Sequence, residues 1–136
     1  MDRLTPERRS WLMSRVKGQD TDAELTVRRV VFALGYRYRL HGAKLPGKPD
    51  LVFARLRKAI FVHGCFWHGH GRCRYGRLPK SRVGFWRTKI ATNRTRDRRV
   101  LRQLRTNGWK SLVVWRCELK RPEQLVKKLH DFLKEE

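Results

Sequence analysis

The chain has 136 residues, 40% of them hydrophobic, which suits one domain around a single core and is too apolar for a disordered basic tail. Its 34 Lys and Arg against 12 Asp and Glu give a formal charge of +22, a field suited to a polyanion, of which nucleic acid is the commonest. There is no bilayer-spanning apolar run and no signal-peptide core, and the three cysteines are an odd number. A membrane or disulfide-built protein is therefore not expected, and thiols in a reducing compartment, cytoplasm or nucleoid, are.

In chain order, "TPERRSWLMSRVKG" (residues 5–18) predicts a first helix, with Thr5 as N-cap, Pro6 in the first turn and Gly18 as the stop. "DTDAELTVRRVVFALG" predicts a second, capped by Asp20 to Asp22, with Leu25, Val30, Val31 and Leu34 at helical spacing and Gly35 at its end. "YRYRL" alternates like a half-exposed strand, and the Gly/Pro-rich turn "HGAKLPGKPD" leads into "LVFA". "AIFVH" is apolar enough for a buried strand. Residues 81–106 predict a long helix with Trp86, Ile90, Asp97, Leu101 and Leu104 near one face, and Gly108 follows it. "WKSLVVW", carrying Trp109 and Trp115, predicts a core strand, and "RPEQLVKKLHDFLKEE" an amphipathic closing helix. The order implies an α/β fold of the α+β kind, a mixed sheet flanked by helices, as one domain over residues 1–136.

Chemistry concentrates in "HGCFWHGHGRC", residues 63–73, at the end of "AIFVH". His70 and Cys73 are close enough to clasp one ion from a single loop, and Cys117 follows the "LVVW" strand. If that strand neighbours "AIFVH", Cys117 comes beside the loop, and thiolate with imidazole reads as a structural zinc. The fourth ligand is open between Cys65, His68 and Asp97. Upstream, "PGKPDLVF" sets Asp50 at the start of a strand, as in Mg²⁺-dependent nucleases, where few carboxylates suffice because Mg²⁺ keeps several waters. The acid and lysine that such nucleases carry on the next strand are missing from "AIFVHG". His63 and His68 stand near, and an imidazole suits the general-base role at neutral pH. Between Glu24 and Glu118 the only carboxylates are Asp50 and Asp97, which singles both out.

Together "LPGKPDLVF", "IFVHGCFWHGH", "FWRTKI", "RDRR" and "GWKSLVVWRCEL" resemble the Vsr-type very-short-patch mismatch endonucleases over roughly residues 10–120. The resemblance implies a restriction-endonuclease-like core with a structural zinc. It also implies a Mg²⁺-dependent enzyme that nicks the T-containing strand of a T·G mismatch, 5′ to the T, in duplex DNA, starting repair of deaminated 5-methylcytosine. By the same resemblance Asp50 holds Mg²⁺ with the Val62 carbonyl, His68 is the base, His63 assists it, and Glu24 meets metal-bound waters. His70, Cys73, Asp97 and Cys117 are then the zinc ligands, with Cys65 merely packed. Phe66, Trp67 and Trp86 become wedges that enter the poorly stacked mismatch at low cost. A monomer, a MutL-type repair partner and a DNA-contacting arm at residues 1–18 also follow from it. The chain departs from the family pattern at Val62, where a threonine is usual, and in a His70–Cys73 spacing one residue longer. Two other readings use the same residues: a zinc-stabilised DNA-binding module without catalysis, and a related nuclease with another DNA target.

Overall fold

The computed structural model describes residues 6–7, 23–40, 42, 44–71 and 73–134. The predicted first helix therefore lies outside the described residues except for Pro6 and Glu7, which are helical. Helix α1 spans Ala23–Ala33, β1 Arg39–Leu40, β2 Leu51–Phe53, β3 Lys58–His63, α2 Val83–Thr106, β4 Lys110–Trp115 and α3 Pro122–Leu133. The strands form one sheet in the order β1-β2-β3-β4. The first two pairings are antiparallel and the β3–β4 pairing is parallel, so the sheet is mixed, as expected.

A parallel pair needs a crossover, and α2 with the loop before it supplies one. The apolar residues sort by strand alternation. Leu51, Phe53, Ile60 and Val114 join Val27, Val30, Val31 and Leu34 of α1 and Leu125, Val126, Leu129 and Leu133 of α3 in one buried cluster. Ala59, Phe61 and His63 point to the opposite face, toward α2, where Val100 and Phe61 converge on Gly47. Of the apolar residues predicted to face the core from α1, Val30, Val31 and Leu34 are buried and Val27 joins them, whereas Leu25 is 38% exposed. Leu25 sits nearly half a turn away from the centre of the Val27–Val31–Leu34 stripe, and the sheet takes that stripe. "YRYRL" yields only a two-residue edge strand, with Tyr36 already buried ahead of it. Leu129→Ala, which empties a fully buried position between α3 and the sheet, is expected to cost about 2–5 kcal/mol in urea unfolding.

Two consequences of this topology position the chemistry. Because β3 and β4 run parallel with His63 opposite Trp115, the segments leaving both strands start at the same level of the sheet. Gly47 and Gly69 then fix two loops on α2. A Cβ at Gly47 (φ +74°) would stand 2.3 Å from Val100 Cγ1, and one at Gly69 (φ +61°) 2.5 Å from Ile90 Cγ2. Only glycine allows the approach at that backbone angle.

Candidate active site and metal centre

Asp50 stands at the head of β2, and its Oδ2 accepts a hydrogen bond from the backbone N–H of Val62 at 2.7 Å. In an extended strand the N–H and C=O of one residue point the same way. The Val62 carbonyl therefore also looks toward the Asp50 side of β3. Asp50, Val62, His63, His68 and Asp97 line one cleft of about 660 Å³, between the sheet end and α2.

On the α2 side, Asp97 Oδ2 lies 2.7 Å from His68 Nδ1. With the carboxylate accepting, Nδ1 carries the proton and Nε2 is left as the basic nitrogen. The His63 ring stacks on His68 at 3.7 Å, 6° from parallel. Burial, and the neighbouring His68 after it, lower the His63 pKa to about 4 against a smaller opposing effect of Asp97, so this ring is neutral at physiological pH. Its Nδ1 is buried without a hydrogen-bond partner among the described residues. His63, His68 and Asp97 are close enough together to suggest a cation. However, two parallel stacked imidazoles aim their in-plane lone pairs along separate planes, and Asp97 already occupies one nitrogen. Within the trio, Asp97 and His68 are hydrogen-bonded and His63 joins by stacking.

A second cluster lies across Trp115. Cys65, His70, Cys73 and Cys117 each present a ligand atom, all within 4.8 Å of one another. A tetrahedral zinc with Zn–S bonds of about 2.3 Å needs edges of about 3.8 Å, so three sulfurs and one imidazole nitrogen fit that ion. Burial, then hydrogen bonds among the thiols, pushes Cys117 up to about 12, and burial likewise raises Cys65. Thiols so placed are protonated until a cation compensates the thiolate charge. The loop is preset by its own backbone bonds, His70 N–H to Cys65 O at 2.9 Å and His68 N–H to Gly64 O at 3.2 Å. Cys117 is held by its neighbour Glu118, which accepts the Trp115 N–H at 2.9 Å and Lys128 Nζ at 2.8 Å.

The geometry groups these residues differently from the ligand set implied by the resemblance: Asp97 is hydrogen-bonded to His68, and Cys65 stands with His70, Cys73 and Cys117 in a group able to hold a metal ion. The reason is directional: Asp97 projects from α2 toward the end of β3, whereas Cys65 turns under the loop, 4% exposed, toward β4. Glu24 is also apart from the cleft lining; its carboxylate pairs with Arg28 one turn along α1.

Phe66, Trp67 and Trp86 meet edge to face, with centroids 5.1–5.7 Å apart, and Phe85 adds a further edge at 5.0 Å from Trp86. Trp67 is 51% exposed and Phe85 50%. Phe85 was not singled out in the sequence; its position beside Trp86 in "FWRTKI" is the signal that pointed to it. Trp115, expected in the core, is instead half-buried between the two clusters, stacked on His70 at 4.1 Å and edge-on to His63 at 5.3 Å.

Residues 1–74 match the family described as DNA mismatch endonuclease Vsr. Over 118 residues the chain is 54% identical to the type II nicking enzyme V.XorIIP of Xanthomonas oryzae pv. oryzae, covering 87% of this chain and 86% of the relative. It is 41% identical over 119 residues to V.NmeAIP of Neisseria meningitidis, another type II nicking enzyme, covering 88% and 84%. With the DNA mismatch endonuclease Vsr of Escherichia coli K12 it shares 40% identity over 117 residues, 86% of this chain and 74% of that protein. The chain belongs to the Vsr DNA mismatch endonuclease family and is a DNA nicking endonuclease.

Proposed function

We propose that this enzyme nicks the T-containing strand of a T·G mismatch in duplex DNA, 5′ to the T, and so starts very-short-patch repair of deaminated 5-methylcytosine. The observation that carries the reading is the meeting, in one cleft of a +22 protein, of Asp50 with the hydrogen-bonded Asp97–His68 pair, while exposed Trp67, next to His68, meets half-buried Phe66 and Trp86. Family membership and the relatives' names support nicking; the family's description supports a mismatch as the target.

Asp50 and the Val62 carbonyl offer hard oxygen donors on one side of the cleft and fit Mg²⁺, which needs few protein ligands. When bound there, Mg²⁺ supplies Lewis acidity toward the scissile phosphate. His68 Nε2 takes the proton of the attacking water, and Asp97, fixed on Nδ1, holds the tautomer and steadies the imidazolium as it forms. Neutral His63, stacked beneath, keeps the ring in plane and adds no competing charge. Cys65, His70, Cys73 and Cys117 hold a structural zinc that ties the 65–73 loop to the segment after β4. Phe66 and Trp67 with Trp86 enter the duplex where stacking is already weak, so that a mismatch costs less to open than a matched pair.

The test is nicking of a labelled duplex holding a single T·G pair against its matched twin, with Mg²⁺ and with EDTA. Mg²⁺-dependent cutting of the T strand alone is expected. Equal cutting of both duplexes would move the target elsewhere, and binding without cutting would reduce the protein to a DNA-binding module. Trp67→Ala should lower the T·G over matched preference by about tenfold, roughly 1.4 kcal/mol, because a wedge contact of 1–3 kcal/mol is lost.

A further inference from the structure

We infer that Arg96, assisted by Lys48, is the cation that grips the non-bridging oxygens of the scissile phosphate, in the place of the strand lysine that the "PD" pattern calls for and this chain lacks. The inference rests on the nuclease reading above and extends it to the residues that stabilise the transition state.

The one lysine on β3 is Lys58, and it is committed at the far end of the strand. Its Nζ donates to the Phe132 carbonyl at 2.6 Å and to the Lys134 carbonyl at 3.3 Å, fastening the end of α3. Among the described residues, the cleft with Asp50 and His68 is lined by two cations, Arg96 and Lys48. Their approach is set by α2, whose wall of the cleft consists of two i,i+4 columns, Arg96 above Val100 and Asp97 above Leu101. Val100 packs against Gly47 at the close approach described above, so its column faces the "PGKPD" turn. Arg96, one turn away in that column, faces the same turn, while Asp97 in the next column reaches His68.

The guanidinium is also tethered. Arg96 Nη2 donates to Asn93 Oδ1 at 3.3 Å, and buried Asn93 donates its own Nδ2 to the Trp67 carbonyl at 2.8 Å. One end of the fork is therefore referenced to the loop that carries His68, at the wall of the cleft that Arg96 lines. Lys48 lies on the Asp50 side, with φ +48° in a turn closed by its N–H to the Leu45 carbonyl at 3.1 Å.

The chemical need is specific. As the water oxygen bonds to phosphorus, the P–O bond to the leaving deoxyribose oxygen breaks and its electron pair departs with that oxygen. His68 takes the water's proton. Donors preset around the phosphoryl oxygens lower this barrier because they are aimed before the reaction begins. A planar fork meets two phosphoryl oxygens at once, and a lysine ammonium on the opposite side adds a point charge. Arg96 as one more backbone tether among the chain's many cations is the competing account, and it predicts different kinetics.

The deciding experiment measures single-turnover nicking of the T·G duplex with Mg²⁺ at saturating enzyme, and duplex affinity against salt, for wild type, Arg96→Ala, Arg96→Lys and Lys48→Ala. We expect Arg96→Ala to slow nicking at saturation by about 10²–10³-fold with affinity changed less than about threefold. Added guanidinium should restore about tenfold or more of that loss, which repacking of a merely structural arginine would not permit. Arg96→Lys should fall between, because it keeps charge and loses the fork, and Lys48→Ala should lose about tenfold. Should Arg96→Ala fail to fold, judged by its melting curve, Arg96→Lys carries the comparison. An Arg96→Ala enzyme with wild-type rate at saturation, and a salt dependence reduced by about one phosphate contact, overturns the clamp and makes Arg96 a tether. A wild-type protein that nicks neither duplex overturns the nuclease reading itself, and the clamp with it.

Discussion

Asp50→Asn should leave duplex binding within about threefold of wild type while slowing single-turnover nicking by at least about 10³-fold, since both metal affinity and phosphate activation depend on that charge. Asparagine is the informative replacement. Its side-chain carbonyl can still accept the Val62 N–H that Asp50 Oδ2 accepts at 2.7 Å, so the β2–β3 junction is preserved and only the charge is lost. Asp50→Ala removes the bond as well and should unfold earlier than Asp50→Asn without nicking more slowly. A mutant of either kind that nicks at the wild-type rate would displace Mg²⁺ from this end of the cleft.

The second large effect separates the two clusters by paired substitutions. Cys65→Ala should yield protein with less than stoichiometric zinc by metal analysis and a melting temperature lower by about 10 °C or more, as befits a loss of several kcal/mol in a domain of this size. Asp97→Asn should keep one zinc per chain and its melting temperature, yet nick at least about 10²-fold more slowly, because the carboxylate that fixes the His68 tautomer is gone. The reverse pattern, zinc lost with Asp97 and retained with Cys65, would restore the ligand set that the family resemblance implied.

How much of this was legible in the sequence depended on whether a property is local. Helix α2 could be read because its apolar spacing runs over residues 81–106 and Gly108 (φ +83°) stops it; the structure has Val83–Thr106. Strands β3 and β4 could be read from continuous apolar runs, and the conjecture that they are neighbours, which brings Cys117 to the loop, matches their parallel pairing. Which of Cys65 and Asp97 completes the thiol cluster was not legible, because the choice depends on the rotation of α2 against the sheet. One hundred degrees per residue turns a neighbouring side chain from one cluster toward another. On α1 the reading of Val30, Val31 and Leu34 as core holds, and Leu25, nearly half a turn from Val27, falls on the outer side. Arg96 carried no signal of its own in a stretch where arginine is the commonest neighbour; its place in a column with Val100 distinguishes it.

Trp115 pairs with His63 across the β3–β4 junction, stacks at 7° on the His70 ring, and turns its edge to His63. It is a party wall, and both rooms were furnished against it. A thinner side chain at 115 would let His70 drift from the sulfurs on one side and relax the stacked histidines on the other, in a single stroke. Mutational tolerance at this position should therefore be far narrower than its half-burial suggests. Any redesign of one chamber, for a different ion or a different base, has to begin by accepting the thickness of an indole.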